Sequence, residues 1–267
     1  GVSKRVAVVT GDDVLGALRA EPDHTDYVNA ETGEALAGFA EHLMTANAYT
    51  GAPAVADALA TGADIVITGR TADPSMVVGV CMQHFGWAET DYHRLAGATI
   101  AGHLIECGTQ VCGGISTHWL ECDDPADIGF PVVEVDGDGN TVVTKPAGTG
   151  GQVTLETVKE QLLYEIGDPR NYLSPDCRVD FTTLDVARQG TDRVAVRGAT
   201  GHAPPDTYKV SATYRDGWRA SAQLTVFGRD AVAKARRAGE AVLARLARHG
   251  TTFARSHVEC LGANACA

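Results

Sequence analysis

No stretch of the chain approaches the roughly 20 consecutive apolar residues that a membrane-spanning helix needs, and the opening segment Gly1 to Asp13 lacks the charged-then-apolar order of an export signal. The expectation is a cytoplasmic protein with no membrane partner. Basic residues are scarce: 22 Lys and Arg stand against 34 Asp and Glu, a formal charge of −12 at pH 7. No segment gathers Lys and Arg into a stripe that would neutralise a phosphate backbone, so nucleic acid is not an expected partner. The 7 cysteines are odd in number and scattered, without the spacing of a secreted disulfide framework, and read as reduced thiols. Equally missing are a Walker loop, a dinucleotide fingerprint, an HExxH helix, a His-rich tract and a nucleophile elbow. No cofactor or metal is therefore expected, except coenzyme A as part of a substrate. What remains, 44% apolar residues in a chain of 267, suffices for a packed core without staples.

The pattern that is present alternates strand, polar turn and helix. Arg5 to Thr10 is a short apolar run closed by Gly11-Asp12-Asp13, the composition of a buried strand entering an acid-capped helix. Glu34 to Ala46 and Ala52 to Gly62 carry apolar side chains at helical spacing, with Pro53 in a first turn. Asp64 to Thr68 is a second buried strand, followed by the polar turn Gly69 to Ser75 and the apolar helix Met76 to Phe85. Another helix spans Asp91 to Cys107. Such alternation predicts an α/β fold with parallel βα units in the N-terminal half, and ligands at the carboxyl ends of the strands, in the turns after Thr10 and Thr68.

From Gly129 the texture changes. Pro131 to Asp136 and Thr141 to Lys145 flank Gly137-Asp138-Gly139-Asn140, a hairpin composition. A helix from Thr154 to Ile166 follows. Strand-like runs occupy Arg178 to Leu184, Arg193 to Arg197, Thr207 to Tyr214 and Trp218 to Phe227, and an Ala- and Arg-rich helix covers Asp230 to His249, with Ala231, Ala235, Ala238, Val242 and Leu246 on one stripe. These runs predict an antiparallel α+β layer in the C-terminal half. A boundary near residue 128 gives parts 1–128 and 129–267, two halves or one continuous core.

Several residue groups carry candidate chemistry. The Gly69 to Ser75 turn puts Arg70, Asp73 and Ser75 at a strand's carboxyl end beside a helix N-terminus, where Arg70 suits a carboxylate or phosphate; the plainer alternative is that Asp73 or Ser75 caps the helix. Lys145 with Gly148, Thr149, Gly150 and Gly151 precedes a helix and resembles a phosphate cradle, or else a flexible hairpin exit. His103, Glu106, Cys107 and Gln110 fall near one helix face, with His103 or Glu106 as proton-transfer group and Cys107 as nucleophile, against the alternative of a buried His and an inert core thiol. His103, Cys107, Cys112, His118 and Cys122 crowd a short stretch, but their spacing is not a usual zinc pattern. Glu160 and Tyr164 share a helix face, and Lys209, Arg215 and Asp206 are further candidates that nothing in the sequence orders into a triad.

Taken together, several phrases resemble a known family. Ala46 to Ala52, Thr68 to Ser75, His103 to Gly108, Val143 to Pro146 with Gly148 to Gly151, Gln161 to Pro169, Pro205 to Ser211 and Tyr214 to Gly217 are similar, in content and order, to the AtuA-like acyclic terpene utilisation family over nearly the whole chain. The resemblance implies a role in breaking down acyclic terpenes and other branched acyl chains, among acyl-CoA carboxylases, hydratases and dehydrogenases. It also implies a chain trimmed relative to the family core, which begins with another strand and helix and in many members is followed by a small ferredoxin-like domain. Cys112, His118 and Cys122 depart from the family pattern, which weakens a metal site further. With Asn47 and Tyr49 from the first phrase, the substrate- or anion-binding candidates are Asn47, Tyr49, Arg70, Asp73, Ser75, Lys145, Gly148, Thr149, Gly150 and Gly151. The catalytic candidates are His103, Glu106 and Cys107. The expected function is an enzyme, a lyase or hydratase/dehydratase acting on an acyl-CoA or carboxylate, in a homo-oligomer. The competing expectations are a non-catalytic acyl-CoA-binding subunit or scaffold, and a hydrolase using Cys107.

Overall fold

The computed structural model describes residues 1–20 and 27–263. It opens with strand β1 (Val6–Val9) and a short helix α1 (Leu15–Ala20). The segment Glu34 to Ala46, read above as a helix, instead forms two 3-10 turns, Leu36–Gly38 and Ala40–His42, and then strand β2 (Leu43–Ala48). Tertiary pairing overrides helical spacing here. Leu43 and Ala46 turn inward onto Leu18, while the backbone of the strand finds its partner more than 160 positions later in the chain.

Helix α2 (Pro53–Ala60) begins with Pro53 in its first turn, where the missing N–H costs nothing. Strand β3 (Ile65–Thr68) then pairs in parallel with β1, Val9 opposite Thr68, so the residues after both strands emerge on the same side. Helix α3 (Ser75–Phe85) starts at the end of that turn. Helix α4 (Tyr92–Ile105) is apolar all round, and every residue from Leu95 to Leu104 is buried, as befits a helix through the middle of a core.

Strands β4 (Val132–Val135) and β5 (Thr141–Thr144) form the expected hairpin, its turn tied by the Asp136 carboxylate, which accepts the N–H groups of Asp138 and Asn140 at 2.9 Å each. Helix α5 (Leu155–Leu163) is opened by a reciprocal cap between Thr154 and Thr157. Strands β6 (Tyr172–Leu173) and β7 (Arg178–Asp180) follow; β7 stops short of Leu184 because the Asp180 carboxylate captures Thr182 N–H and turns the chain into a 3-10 helix. Strands β8 (Asp185–Gly190) and β9 (Arg193–Arg197) complete an antiparallel sheet in the order β4-β5-β9-β8. Strand β10 (Thr200–His202) joins β7 and β6 in a second antiparallel sheet, and β11 (Val210–Tyr214) pairs antiparallel with β2. The fold is thus mixed α/β, with its main core formed by α4, the β4-β5-β9-β8 sheet and the helices beside them.

The chain divides into two compact units, Gly1–Arg215 and Asp216–Ala267. Residue 128 lies inside the first, where Ile128 bridges to Gly150. In the second, Trp218 to Phe227 forms no strand: Trp218 and Phe227 are exposed, and no strand of that unit is available to satisfy its N–H and C=O groups among the described residues. Helix α6 (Ala231–Arg248) matches the expected span, and none of its residues is buried. No helix among the described residues is long and apolar enough to cross a membrane.

Candidate functional site

The end of β2 runs across the carboxyl ends of β1 and β3 and laces their turns together. Ala48 N–H donates to Asp12 O at 2.7 Å and Val14 N–H to Ala46 O at 3.0 Å on one side. On the other, Thr50 N–H donates to Arg70 O at 3.2 Å, and Ala72 N–H to Thr50 O at 3.0 Å. The hydroxyls of Thr50 and Thr71 meet at 3.1 Å. The result is an open cleft of about 440 Å3 lined by Asp12, Asn47, Thr68, Gly69, Arg70, Thr71, Asp73 and Met76. Its size is that of a small-molecule site, and its place at parallel strand ends is where α/β folds bind ligands.

Asp12 organises the cleft floor. One carboxylate oxygen accepts Arg70 N–H at 2.8 Å and the Asn47 amide at 2.9 Å, tying three segments to a single charge. Gly69 is required beneath it, because a side chain there would overlap the carboxylate. The Arg70 N–H, then the Asn47 amide, hold the Asp12 carboxyl below the usual carboxylate range. A carboxyl depressed in this way contributes stability that is present above its unfolded pKa and lost as pH falls through its folded value. The gap in Tm between wild type and Asp12→Asn is therefore expected to narrow between about pH 6 and about pH 3; a gap constant over that window would show that the Asp12 charge does not brace the cleft.

The cation of the cleft, Arg70, and a second one nearby, Lys209, rest on one aromatic ring. The Arg70 guanidinium lies 5.0 Å from the centre of the Tyr49 ring and the Lys209 ammonium 5.3 Å from the same ring. Tyr49 is held in turn by its N–H, which donates to Lys209 O at 2.9 Å. Neither cation makes an ion pair among the described residues. Asp73 is exposed in the cleft and does not cap α3. Ser75, by contrast, is fully buried and turned away: its hydroxyl donates to Asp176 at 2.5 Å, and the other Asp176 oxygen accepts Ala52 N–H at 2.6 Å. That one carboxylate joins the starts of α2 and α3, where N-terminal N–H groups favour negative charge, although burial pushes its carboxyl up.

His103 sits elsewhere, in the core, 1% exposed. Its Nδ1 meets Glu106 Oε1 at 2.8 Å and its Nε2 meets Gln161 O at 2.8 Å, while the Gln161 amide donates back to His103 O at 3.0 Å. A backbone carbonyl only accepts, so Nε2 is the donor to Gln161 O, and Nδ1 faces the Glu106 carboxyl. The rings of Tyr172 and Phe181 pack around the imidazole. Both ring nitrogens are engaged, and neither His103 nor Glu106 lines the cleft. Cys107 is half-buried just beyond them. Burial pushes the thiol of Cys81 up to about 11 and those of Cys112 and Cys177 up to about 12, as inert core cysteines require.

The segment Lys145 to Gly151 is also internally satisfied. Lys145, its side chain 6% exposed, donates to Thr149 O at 2.7 Å and pairs with Asp192 at 3.6 Å. The N–H groups of Gly150 and Gly151 donate to Asp127 O and Asp123 O. Thr149 turns its hydroxyl onto Pro146 O, and Pro146, Ala147 and Gly148 stand open to solvent. These groups brace a loop and contribute nothing to the cleft. Glu160 likewise accepts Thr117 N–H. Among the described residues no three His, Cys, Asp or Glu side chains are grouped to hold a metal ion.

Of the expected binding residues, the structure brings Asn47, Tyr49, Arg70 and Asp73 together and separates them from Ser75, the Lys145 loop and His103. Asp12, Thr71 and Met76 were not among the expected binding residues, although the turns after Thr10 and Thr68, which hold the first two, were the expected place for a ligand. The signal for Asp12 was its place after a strand's carboxyl end; its neighbour Asp13 takes the helix-entry role, accepting Leu15 N–H at 3.0 Å.

No curated protein and no solved structure matches the chain significantly. A family model does, that of the acyclic terpene utilisation family protein AtuA, over residues 1–267. The chain belongs to the AtuA acyclic terpene utilisation family.

Proposed function

We propose that the protein is an enzyme of acyl-CoA or branched-chain carboxylate metabolism, a lyase or hydratase/dehydratase, that holds the anionic end of its substrate on Arg70. The observation that carries this reading is a guanidinium that has no carboxylate partner among the described residues and lies over Tyr49 at the mouth of a cleft at the carboxyl ends of β1 and β3. An arginine so placed presents its planar fork of N–H donors to a carboxylate or phosphate, and the Tyr49 ring fixes its direction. Met76, about half exposed on the cleft wall, offers apolar surface to a branched chain. Membership of an acyclic terpene utilisation family supports branched acyl substrates. His103 and Glu106, in this reading, hold the core, and proton transfer belongs to groups in the cleft.

The test is incubation of the full chain with branched α,β-unsaturated and β-hydroxy acyl-CoAs and the free acids, followed by mass spectrometry for gain or loss of water or for cleavage. Turnover that Arg70→Ala abolishes supports the reading; turnover unchanged in that variant overturns it. A second reading, a non-catalytic subunit that assembles with copies of itself or with partner enzymes, is favoured by the exposure of Ile115 (88%), Leu120 (98%) and Leu163 (75%) on a loop and helix end that the Thr117 to Glu160 bond brings together. It expects ligand binding without any turnover.

A further inference from the structure

The second unit has no core of its own. No residue between 216 and 263 is buried, and Trp218, Leu224 and Phe227 stand exposed. A unit that buries so little apolar surface does not offset the entropy of ordering its chain, so its core comes from association. Residues 218–226 carry the pattern of a half-buried strand: Trp218, Ala220, Ala222, Leu224 and Val226 alternate with Arg219, Ser221, Gln223 and Thr225. Among the described residues no backbone hydrogen bond ties residues 217–229. Their N–H and C=O groups are thus open to a strand from another chain.

The run is complementary to its own copy. Paired antiparallel about Ala222, it sets Trp218 opposite Val226 of the second copy and Ala220 opposite Leu224, with the five apolar side chains of both copies on one face. A shift by one residue would mix apolar and polar side chains on both faces. Arg219 is the single charge between Gly217 and Gly228, so like charges do not oppose the pairing. A two-stranded ribbon is marginal alone, and α6 supplies its cover: none of its residues is buried, and Ala235, Ala238, Val242 and Leu246 form an apolar stripe. Trp218, Leu224, Phe227, Val232 and Val242 of one copy offer on the order of 800 Å2 of apolar surface, the share of one partner in a standard interface. We propose that two copies of the chain associate about a two-fold axis between their Ala222 residues, each giving a strand over 218–226 to a shared antiparallel ribbon. The association is independent of what the cleft binds.

The test is the mass of the full chain in solution, by analytical ultracentrifugation, joined to crosslinking at the axis. Wild type is expected at twice the protomer mass. Leu224→Arg, which puts a charge on the shared apolar face, is expected at the protomer mass, with a cooperative thermal transition showing that it is folded. Gln223→Arg, one position away on the opposite face, is expected to stay at twice that mass. Residues directly opposite in an antiparallel pair have Cα atoms about 4.5–5.5 Å apart, within disulfide reach. Mild oxidation of Ala222→Cys is therefore expected to link two copies through the introduced thiols, identified by mass spectrometry of the joined peptides. Thr225→Cys, whose copies would stand about 20 Å apart along the ribbon, is expected not to link. A dimer that survives Leu224→Arg, or a linkage formed equally by Thr225→Cys, would overturn the assignment. A monomeric wild type would overturn it too, and leave the run to its own chain or to the sheet edge of another protein.

Discussion

Replacement of His103 by alanine is expected to destabilise the protein by about 3–5 kcal/mol, a large share of the total stability of a domain. The imidazole is almost fully enclosed, and its two nitrogens satisfy the Glu106 carboxylate and the Gln161 carbonyl. Its removal leaves a cavity against Tyr172 and Phe181, takes a partner from the Glu106 carboxylate, and leaves the buried Gln161 carbonyl only the longer Tyr164 N–H contact at 3.3 Å. Urea unfolding of wild type and His103→Ala, compared at constant m-value, measures the loss. A cost below about 1 kcal/mol would mean that the ring is not a structural tie, and would return it to the list of groups free to move a proton.

The second large effect is expected at Gly97, in the middle of α4. A Cβ at this position would overlap the carbonyl oxygen of Gly139 in the β4-β5 hairpin, so the helix and the hairpin touch backbone to backbone. Neither partner can yield cheaply: α4 is buried along its length, and the hairpin turn is pinned by Asp136. Gly97→Ala is therefore expected to cost about 3 kcal/mol, the upper end of overpacking penalties, although alanine is the better helix former. Thermal unfolding checks this, and a variant as stable as wild type would contradict the packing of α4 on the hairpin.

The parts of this fold legible in the sequence are those whose signals are local. Strand β3, its polar turn and α3 follow from one apolar run, Gly69-Arg70 and the following helical spacing, and that unit carries the candidate site. The hairpin was written in Gly137 to Asn140, and α4 in a long apolar stretch. What was not legible depends on distant partners. Leu43 to Ala48 is a strand because β11 pairs with it, and nothing near it in the chain says so. Lys145 looked like a free cation beside glycines, but Asp192, far along the chain, pairs with it and the Thr149 carbonyl accepts a hydrogen bond from its ammonium. His103 and Glu106 were correctly placed as helix neighbours; that their face points into the core follows from α4 being enclosed on all sides, which spacing alone does not reveal. In the cleft, Arg70 was legible and Asp12 was not, because two adjacent aspartates after β1 share the duties of cleft and helix entry.

The central claim is that the cleft at the carboxyl ends of β1 and β3 binds an anion through Arg70, and isothermal titration of wild type and Arg70→Ala with branched carboxylates and their coenzyme A thioesters tests it most directly. The Arg70 side chain is exposed, rests on the Tyr49 ring and makes no ion pair among the described residues, so the variant is expected to keep its stability within about 0.5 kcal/mol. The account predicts saturable binding to wild type and a loss of at least about tenfold in Arg70→Ala, the value of a charge-assisted bidentate contact. Equal affinity of the two proteins for every ligand that binds would contradict it.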